Sequence, residues 1–420
     1  MLTATTVIGN SRELSISISG KIAEKQRRKD ANKMEHISKI IIGANYGDEG
    51  KGLVSRSFSV RAIKAGHSPI TILHNGTAQR GHTVDYSPEF RHVYHHFGSG
   101  TLDGVSTFFA KSFLVHPVSF VKEYNELCGK INMPEIFCDP NCIVITPLDM
   151  LADHAIEEDI AVKYGEREYG SCGYGSWSAT DRIAEFPEYA YSVKDFMDKD
   201  RYPEIMKNLW KWVLSRMECF NVDTERLPDF RKYFMPESKH VAGIIRHFAT
   251  DVEFFLKHVH LTDFGGIWNA FDYTIFENGQ GLGLDMDVPY EWHTTSKTGL
   301  ANPKAMLMEY KDFKAEAIYV TRAYLTRHGV GRLEEEVCKE SINADMRDAT
   351  NVTNDFQGSL RYGYIEEAEQ SRRITDDWKT VAGDSRFEKS IATTHCNEFC
   401  ELRNYSRYQS FDPFTMRENQ

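Results

Sequence analysis

One stretch near the N-terminal end limits the fold more than any other. Ser38-Lys-Ile-Ile-Ile-Gly-Ala44 is a short apolar run that ends in glycine, the pattern of a strand buried on both faces. Asn45-Tyr-Gly-Asp-Glu-Gly-Lys-Gly52 follows as a glycine-rich loop, and residues 53–65 then carry helical spacing that closes at Gly66. Ser68-Pro-Ile-Thr-Ile-Leu-His74 is a second buried run. Strand, glycine loop, helix and strand in that order predict a right-handed βαβ unit with the loop at a helix N-terminus.

The remainder alternates in the same way. Residues 143–146 and 273–276 read as further strands, and residues 149–162, 241–259 and 302–322 as helices. This alternation predicts an α/β fold around a parallel central sheet. Residues 184–270, rich in Trp, Phe and Lys/Glu, read as a largely helical insertion. Residues 1–33 read as a flexible, partly basic arm, and residues 34–420 as one catalytic domain.

Composition narrows the function. With 50 Lys and Arg against 61 Asp and Glu among 420 residues, the net charge is −11. Such a chain lacks the basic footprint of a duplex-binding protein. No run approaches the ~18 apolar residues of a membrane span, and residues 1–33 have no apolar core of a secretory signal. Eight cysteines in a chain of this length make no disulfide framework, and reduced thiols in a cytoplasmic protein are expected.

The glycine loop carries the chemistry. Backbone N–H groups at a helix N-terminus face an anion, and Lys51 adds a mobile positive charge. The loop is not a Walker signature, because Asn45 stands at the first glycine and Gly52 at the magnesium-binding hydroxyl. It also holds two acids, Asp48 and Glu49. A carboxylate among phosphates is repelled unless a metal or a proton compensates.

These features fit a known family. Gly47-Asp-Glu-Gly-Lys-Gly52 resembles the opening motif of adenylosuccinate synthetase, and other segments agree in order. Gln79-Arg-Gly-His-Thr83 resembles the family's N-A-G-H-T, and His96-Phe-Gly-Ser-Gly-Thr-Leu102 its P-S-G-I-L. Gly170-Ser-Cys-Gly-Tyr-Gly175 resembles G-T-T-G-R-G, and Phe276-Glu-Asn-Gly-Gln-Gly-Leu-Gly-Leu-Asp285 resembles F-E-G-A-Q-G-x-L-L-D. Thr294-Thr-Ser-Lys-Thr298 is similar to T-S-S-N-T, and Ala323-Tyr-Leu-Thr-Arg327 to A-Y-S-T-R. Phe356-Gln-Gly-Ser-Leu-Arg-Tyr-Gly363 stands where cellular members carry an arginine run and resembles the phage branch that makes 2-aminoadenine precursors.

The resemblance implies a carbon–nitrogen ligase that joins L-aspartate to the six position of a 6-oxopurine nucleoside monophosphate. A nucleoside triphosphate (NTP) first phosphorylates O6, and the aspartate amine then displaces phosphate. By the same resemblance Asp48 is the base and a Mg²⁺ ligand, His82 the general acid, and Lys51 the cation at the transferring phosphoryl. The Gly81 carbonyl is a second Mg²⁺ ligand. Gly47, Glu49, Gly50, Gly52 and Thr83 belong to the nucleotide cradle. Ser171, Cys172, Gln280 and Thr294 are expected at the acceptor nucleotide. Arg182 is expected to reach the monophosphate of a partner subunit, which implies a homodimer. Thr353, Gly358 and Arg361, supplemented by Arg327, are expected at aspartate.

The family's guanine-reading T-K-L-D corresponds to Thr394-His395-Cys396-Asn397. An asparagine amide offers one acceptor and one donor, matching adenine better than guanine, so ATP is expected as an allowed donor. IMP is the expected acceptor, with dGMP the alternative. Phage enzymes acting on dGMP replace the base aspartate with a small residue, so Asp48 favours IMP, while the Gln357-Gly358 loop favours the dGMP branch. A nucleotide-binding protein that has lost synthesis is the other reading; it has to explain why both Asp48 and His82 are present.

Overall fold

The computed structural model describes residues 35–165, 173–227, 230–232, 238–288, 296–346, 358–399 and 406–419. The expected N-terminal arm lies outside them. The strands are β1 (His36–Gly43), β2 (Pro69–Leu73), β3 (His82–Ser87), β4 (Phe90–Tyr94), β5 (Ser106–Phe109), β6 (Ile136–Cys138), β7 (His260–Leu261) and β8 (Tyr273–Gly281). They continue as β9 (Phe313–Arg322), β10 (Leu325–Arg327), β11 (Glu336–Val337), β12 (Arg361–Gly363), β13 (Phe387–Thr394), β14 (Tyr408–Gln409) and β15 (Arg417–Glu418). The helices are α1 (Lys51–Lys64), α2 (Pro117–Cys128), α3 (Pro147–Tyr164), α4 (Ser176–Glu185) and α5 (Tyr202–Cys219). After them come α6 (Lys239–His258), α7 (Phe264–Ala270), α8 (Ala301–Leu307), α9 (Lys339–Ile342) and α10 (Glu367–Trp378).

Ten strands form one sheet in the order β15-β14-β13-β9-β1-β8-β2-β5-β6-β7. Every pairing in it is parallel except β14 with β15. The βαβ unit is therefore split, since β8 lies between β1 and β2. Alternation across the pleat sends Ile41 to one face, where it packs with Val54, Phe58 and Ala62 of α1. Ile40 and Ile42 go to the other, with Phe264, Ile267 and Trp268 of α7 and Ile374 of α10. Covering both faces explains the unbroken apolar runs of β1 and β2.

Two expectations fail. Residues 302–322 are not one helix: α8 stops at Leu307, and β9 begins at Phe313 after an exposed turn. The run Ala315–Val320 is buried on both faces of the sheet, and a single helix face cannot bury consecutive residues in that way. Residues 143–146 form no strand. Ile143 and Val144 make only isolated bridges, to Ser192 and Val115, before Thr146 caps α3.

The described part of residues 184–270 holds α5, α6, α7 and short 3-10 turns. Leu209, Trp212 and Val213 of α5 and Phe248 and Phe255 of α6 share one core with Phe109, Phe113 and Phe120 at the sheet's edge. That core also takes Leu151, Ala152 and Ile156 from α3, so the helical layer begins before residue 184.

Candidate active site

The glycine loop sits at the C-terminal end of β1, where open α/β sheets bind ligands. Gly47, Asp48 and Gly50 have φ of 106°, 58° and 88°, so the loop turns through three left-handed residues. Gly50 is the N-cap of α1 and provides no side-chain cap, which leaves the first N–H groups of the helix for an anion. Gly52 is where a Walker loop carries its hydroxyl. A Cβ there would lie 2.6 Å from the Thr83 carbonyl, so close packing of α1 on β3 requires glycine.

The two loop acids have different fates. Glu49 is 2% exposed and turned inward. Its Oε1 accepts from the backbone N–H of Asn45 and Gly47, at 3.2 and 2.8 Å, and Oε2 accepts from Lys51 Nζ at 2.7 Å. Burial opposes the Glu49 charge, but the Lys51 ammonium and the Gly47 N–H hold its carboxyl below the usual range. A Cβ at Gly43 or Gly281 would strike this carboxylate. Glu49 thus braces the loop from beneath. Asp48 is half-buried instead; its carboxylate lies 3.6 Å from His328 Nε2, and its carbonyl accepts from Arg322 Nε at 2.5 Å.

His82 opens β3 opposite the loop. Its Nδ1 lies 2.5 Å from Glu277 Oε1 and 3.3 Å from Arg80 Nη2, and its Nε2 has no hydrogen-bond partner among the described residues. Burial, reinforced by the Arg80 charge, pulls the imidazole down to about 4, so the resting ring is neutral. Glu277 accepts from Ser55 Oγ, Ser99 N and Ser99 Oγ as well, and from Arg80. Against burial, Arg80 and His82 hold the Glu277 carboxyl well below the usual range. Sequence reading missed both Glu277 and Arg80. The signal was present in their place inside matched motifs, but an acid within a strand and a basic residue beside a histidine announce no role alone.

Asp48, Gly50, Lys51, Gly81, His82 and Thr83 line one cleft of about 240 Å³. Asn397, His395, Glu398, Tyr324 and Arg322 line its far side. The predicted triphosphate residues and the predicted base reader therefore meet. Thr394 Oγ1 donates to the Glu49 carbonyl at 2.8 Å, which ties the end of β13 to the loop. Among the described residues no group of three or more His, Cys, Asp or Glu could hold a metal. A phosphate-bound Mg²⁺ needs fewer, because one or two carboxylates plus phosphate and water complete its octahedron. Asp48 and the Gly81 carbonyl, facing the same cleft, fit that donor set.

The other predicted residues separate into groups. Arg327 and Arg361 are direct cross-strand partners in the β10–β12 pair. Arg327 is fully buried over the Tyr46 ring at 4.9 Å and donates to the Val330 and Arg332 carbonyls. Arg361 grips the Glu336 carboxylate through Nε and Nη2 and donates to the Gly329 and Gly331 carbonyls. Gly358 is exposed with φ of 69°. Gln280 donates to the Leu284 and Ser296 carbonyls, bracing its own loop. Ser171, Cys172, Thr294 and Thr353 lie outside the described residues.

Arg182 lies in the interior of its own protomer. It is 0% exposed and bidentate to Asp149, at 2.9 and 3.0 Å, and it donates further to the Val144 and Tyr189 carbonyls. These bonds occupy Nε, Nη1 and Nη2 within the chain itself. The shorter spacing from the glycine motif to this arginine places it on the inner face of α4, against the Thr146–Asp149 capping box of α3.

A parallel sheet with a left-handed glycine loop, an inward-braced acid and an acid and a histidine on one phosphate-sized cleft defines a nucleotide-dependent enzyme. A family model described as adenylosuccinate synthetase matches residues 40–367. The chain belongs to the adenylosuccinate synthetase family, ligases that join L-aspartate to a purine nucleotide. Among solved structures it is similar to the fully ligated adenylosuccinate synthetase of Plasmodium falciparum, with a TM-score of 0.64 and 17% identity over 88% of this chain and 78% of that one. It is also similar to the succinoaminodeoxyadenylate synthetase PurZ of cyanophage S-2L, described bound to dGMP and to dATP as an energy donor. There the TM-score is 0.56 and the identity 12%, over 92% of this chain and 95% of the other.

Proposed function

We propose that the chain couples L-aspartate to IMP, with an adenine nucleoside triphosphate as phosphoryl donor. The observation that carries this reading is the shared cleft of Asp48 and His82 at the glycine loop. An amide oxygen is a weak nucleophile and hydroxide a poor leaving group; phosphorylation of O6 answers both difficulties. In the first step Asp48 takes the N1 proton, O6 bonds to the γ-phosphorus, and the bond to the bridging oxygen breaks to release the diphosphate. In the second step the aspartate nitrogen bonds to C6, phosphate leaves with the C6–O electron pair, and the amine gives up its proton.

His82 rests neutral, with Nδ1–H on Glu277, a partnerless Nε2, and its ring in the cleft lining. The charge of bound triphosphate favours a second proton on Nε2, and that proton is then donated as negative charge gathers on the phosphoryl oxygens. Lys51 and the N–H groups of α1 stabilise the same charge. Asp48 and the Gly81 carbonyl would hold Mg²⁺, which when bound neutralises and orients the phosphates. Arg361 serves the aspartate carboxylates, its grip on Glu336 being the same chemistry, and Arg327 supplements it by bracing the Val330–Arg332 loop. Asn397 reads the adenine edge.

The reading extends to a homodimer in the cytoplasm; among the described residues no helix is long and apolar enough to cross a membrane. dGMP is the second acceptor, favoured by the Phe356-Gln-Gly-Ser-Leu-Arg-Tyr-Gly363 segment and by the dGMP of the cyanophage enzyme. A panel of IMP, dIMP, GMP, dGMP and XMP with aspartate and ATP, read by mass spectrometry, decides. A succinyl adduct of IMP supports the main reading, one of dGMP alone moves the chain to the second, and none with any acceptor overturns both.

A further inference from the structure

Arg80 is 3% exposed and stands two residues before His82. Its Nη2 donates to Glu277 Oε1 and to the Phe97 carbonyl and lies 3.3 Å from His82 Nδ1, while Nε and Nη1 have no hydrogen-bond partner among the described residues. A guanidinium taken out of water is costly and ordinarily uses its whole fork of donors. This one uses a single nitrogen. What it contributes is a fixed positive charge against Glu277.

Glu277 is fully buried and saturated: His82, Arg80, Ser55 and Ser99 supply its donors. Of these, only His82 lines the phosphate cleft. An ionised carboxylate is an acceptor and nothing else, so the imidazole nitrogen that meets it carries the hydrogen.

We propose that Glu277 and Arg80 are positioning residues for the ligation: Glu277 fixes His82 in the Nδ1–H tautomer and so leaves Nε2 bare to take up and give a proton, and Arg80 holds the Glu277 carboxylate in place behind it. This rests on the reading of His82 as the group at the transferring phosphoryl. An amide in place of Glu277 can turn its N–H toward Nδ1 and reverse the tautomer. The equivalent carboxylate-to-amide change in a serine protease triad leaves the geometry intact and costs about 10⁴-fold in kcat. Arg80 acts one contact further out, because without it the buried carboxylate faces neutral donors and His82 alone.

The experiment combines kinetics with the ¹⁵N spectrum of histidine-labelled full-length protein, the His82 signals being assigned by their loss in His82→Gln. The wild type is expected to show a protonated Nδ1 and a bare Nε2. Glu277→Gln is expected to shift the ring toward Nε2–H and to lower kcat by about 10²-fold or more, with KM for triphosphate and aspartate within about threefold. Arg80→Met is expected to slow turnover, and Arg80→Lys, which restores charge without the fork, to recover most of it. The double variant Arg80→Met, Glu277→Gln leaves no unpaired buried charge, so it is expected to regain thermal stability and remain slow. An Nε2–H ring in the wild type overturns the proposal, and so does a folded Glu277→Gln within about threefold of wild-type kcat. Should Glu277→Gln not fold, a fast double variant overturns it and a slow one supports it. If the wild type ligates nothing, the ligase reading falls alone, and the spectrum still decides the tautomer.

Discussion

The Thr394 hydroxyl donates to the Glu49 carbonyl at 2.8 Å, joining residues 345 apart in sequence. The same Thr394 lies against Gly50, where a Cβ would meet its methyl at 2.9 Å. The phosphate loop and the turn that carries Asn397 are therefore held as one unit. Thr394→Val keeps the shape and removes the donor. We expect it to cost about 1 kcal/mol of donor binding, seen as a several-fold higher KM for triphosphate with kcat little changed. An unchanged KM would show that the two elements are positioned independently.

Asp48→Asn and His82→Ala are each expected to lower kcat by about 10²–10⁴-fold with folding intact. Asp48 is half-buried at the cleft, and His82, although buried, belongs to the cleft lining and not to an apolar core cluster, so the fold is expected to survive both changes. Steady-state kinetics with circular dichroism provide the check. Near wild-type turnover in Asp48→Asn would end the assignment of the base.

Donor choice is expected to follow residue 397. The wild type should use ATP at least as well as GTP, and Asn397→Asp should move kcat/KM toward GTP by a factor that corresponds to about 1–3 kcal/mol. Asn397 is exposed on the cleft wall, so the substitution does not disturb packing. A wild type that prefers GTP tenfold or more removes the base-reading role.

Arg182→Leu is expected to destabilise the fold by about 3–5 kcal/mol, because Asp149 is left as an unpaired buried charge. Urea unfolding measures the loss, and sedimentation compares the oligomer. The residue's burial predicts that any folded variant keeps the wild-type association state. A variant of normal stability that dissociates would restore Arg182 to the interface.

Stability should respond to pH through Asp377. Burial raises this carboxyl to about 6, even though the Leu300 N–H and the Tyr319 hydroxyl both donate to it. The folded state thus holds the proton more tightly than the unfolded chain, whose aspartates titrate near 3.9. The contribution is full below about pH 4 and is lost as pH rises to about 6, a change of order 2–3 kcal/mol. Urea titrations at pH 5 and pH 7 should show wild type losing more stability than Asp377→Asn across that interval. Equal losses would place the Asp377 carboxyl at an ordinary value.

Where the sequence could be read, local chemistry had no rival. The loop at Gly47–Gly50 is legible because left-handed backbone selects glycine, and β1 because its doubly covered segment Ile40–Ile42 is apolar without alternation. Residues 302–322 misled because α8 and β9 are both apolar and the turn at Tyr310 to Asp312 contains neither glycine nor proline. The burial of Arg182 was not legible, because a motif match transfers position but not burial. Arg80 and Glu277 stayed hidden because their meaning lies in a contact between residues 197 apart.

The central place of β8 has a consequence for how the enzyme comes into being. The Ser38–Thr274 hydroxyl contact that helps seat this strand against β1 closes a span of 236 residues. Until that span has been synthesised, β1 and β2 have no common neighbour, and His82 has no carboxylate behind it. A nascent chain emerging at about 5–20 residues per second thus spends many seconds with a glycine loop but no completed catalytic histidine. During that interval the loop lacks the histidine arrangement that phosphoryl transfer uses. Chemical competence arrives with the strand that finishes the sheet.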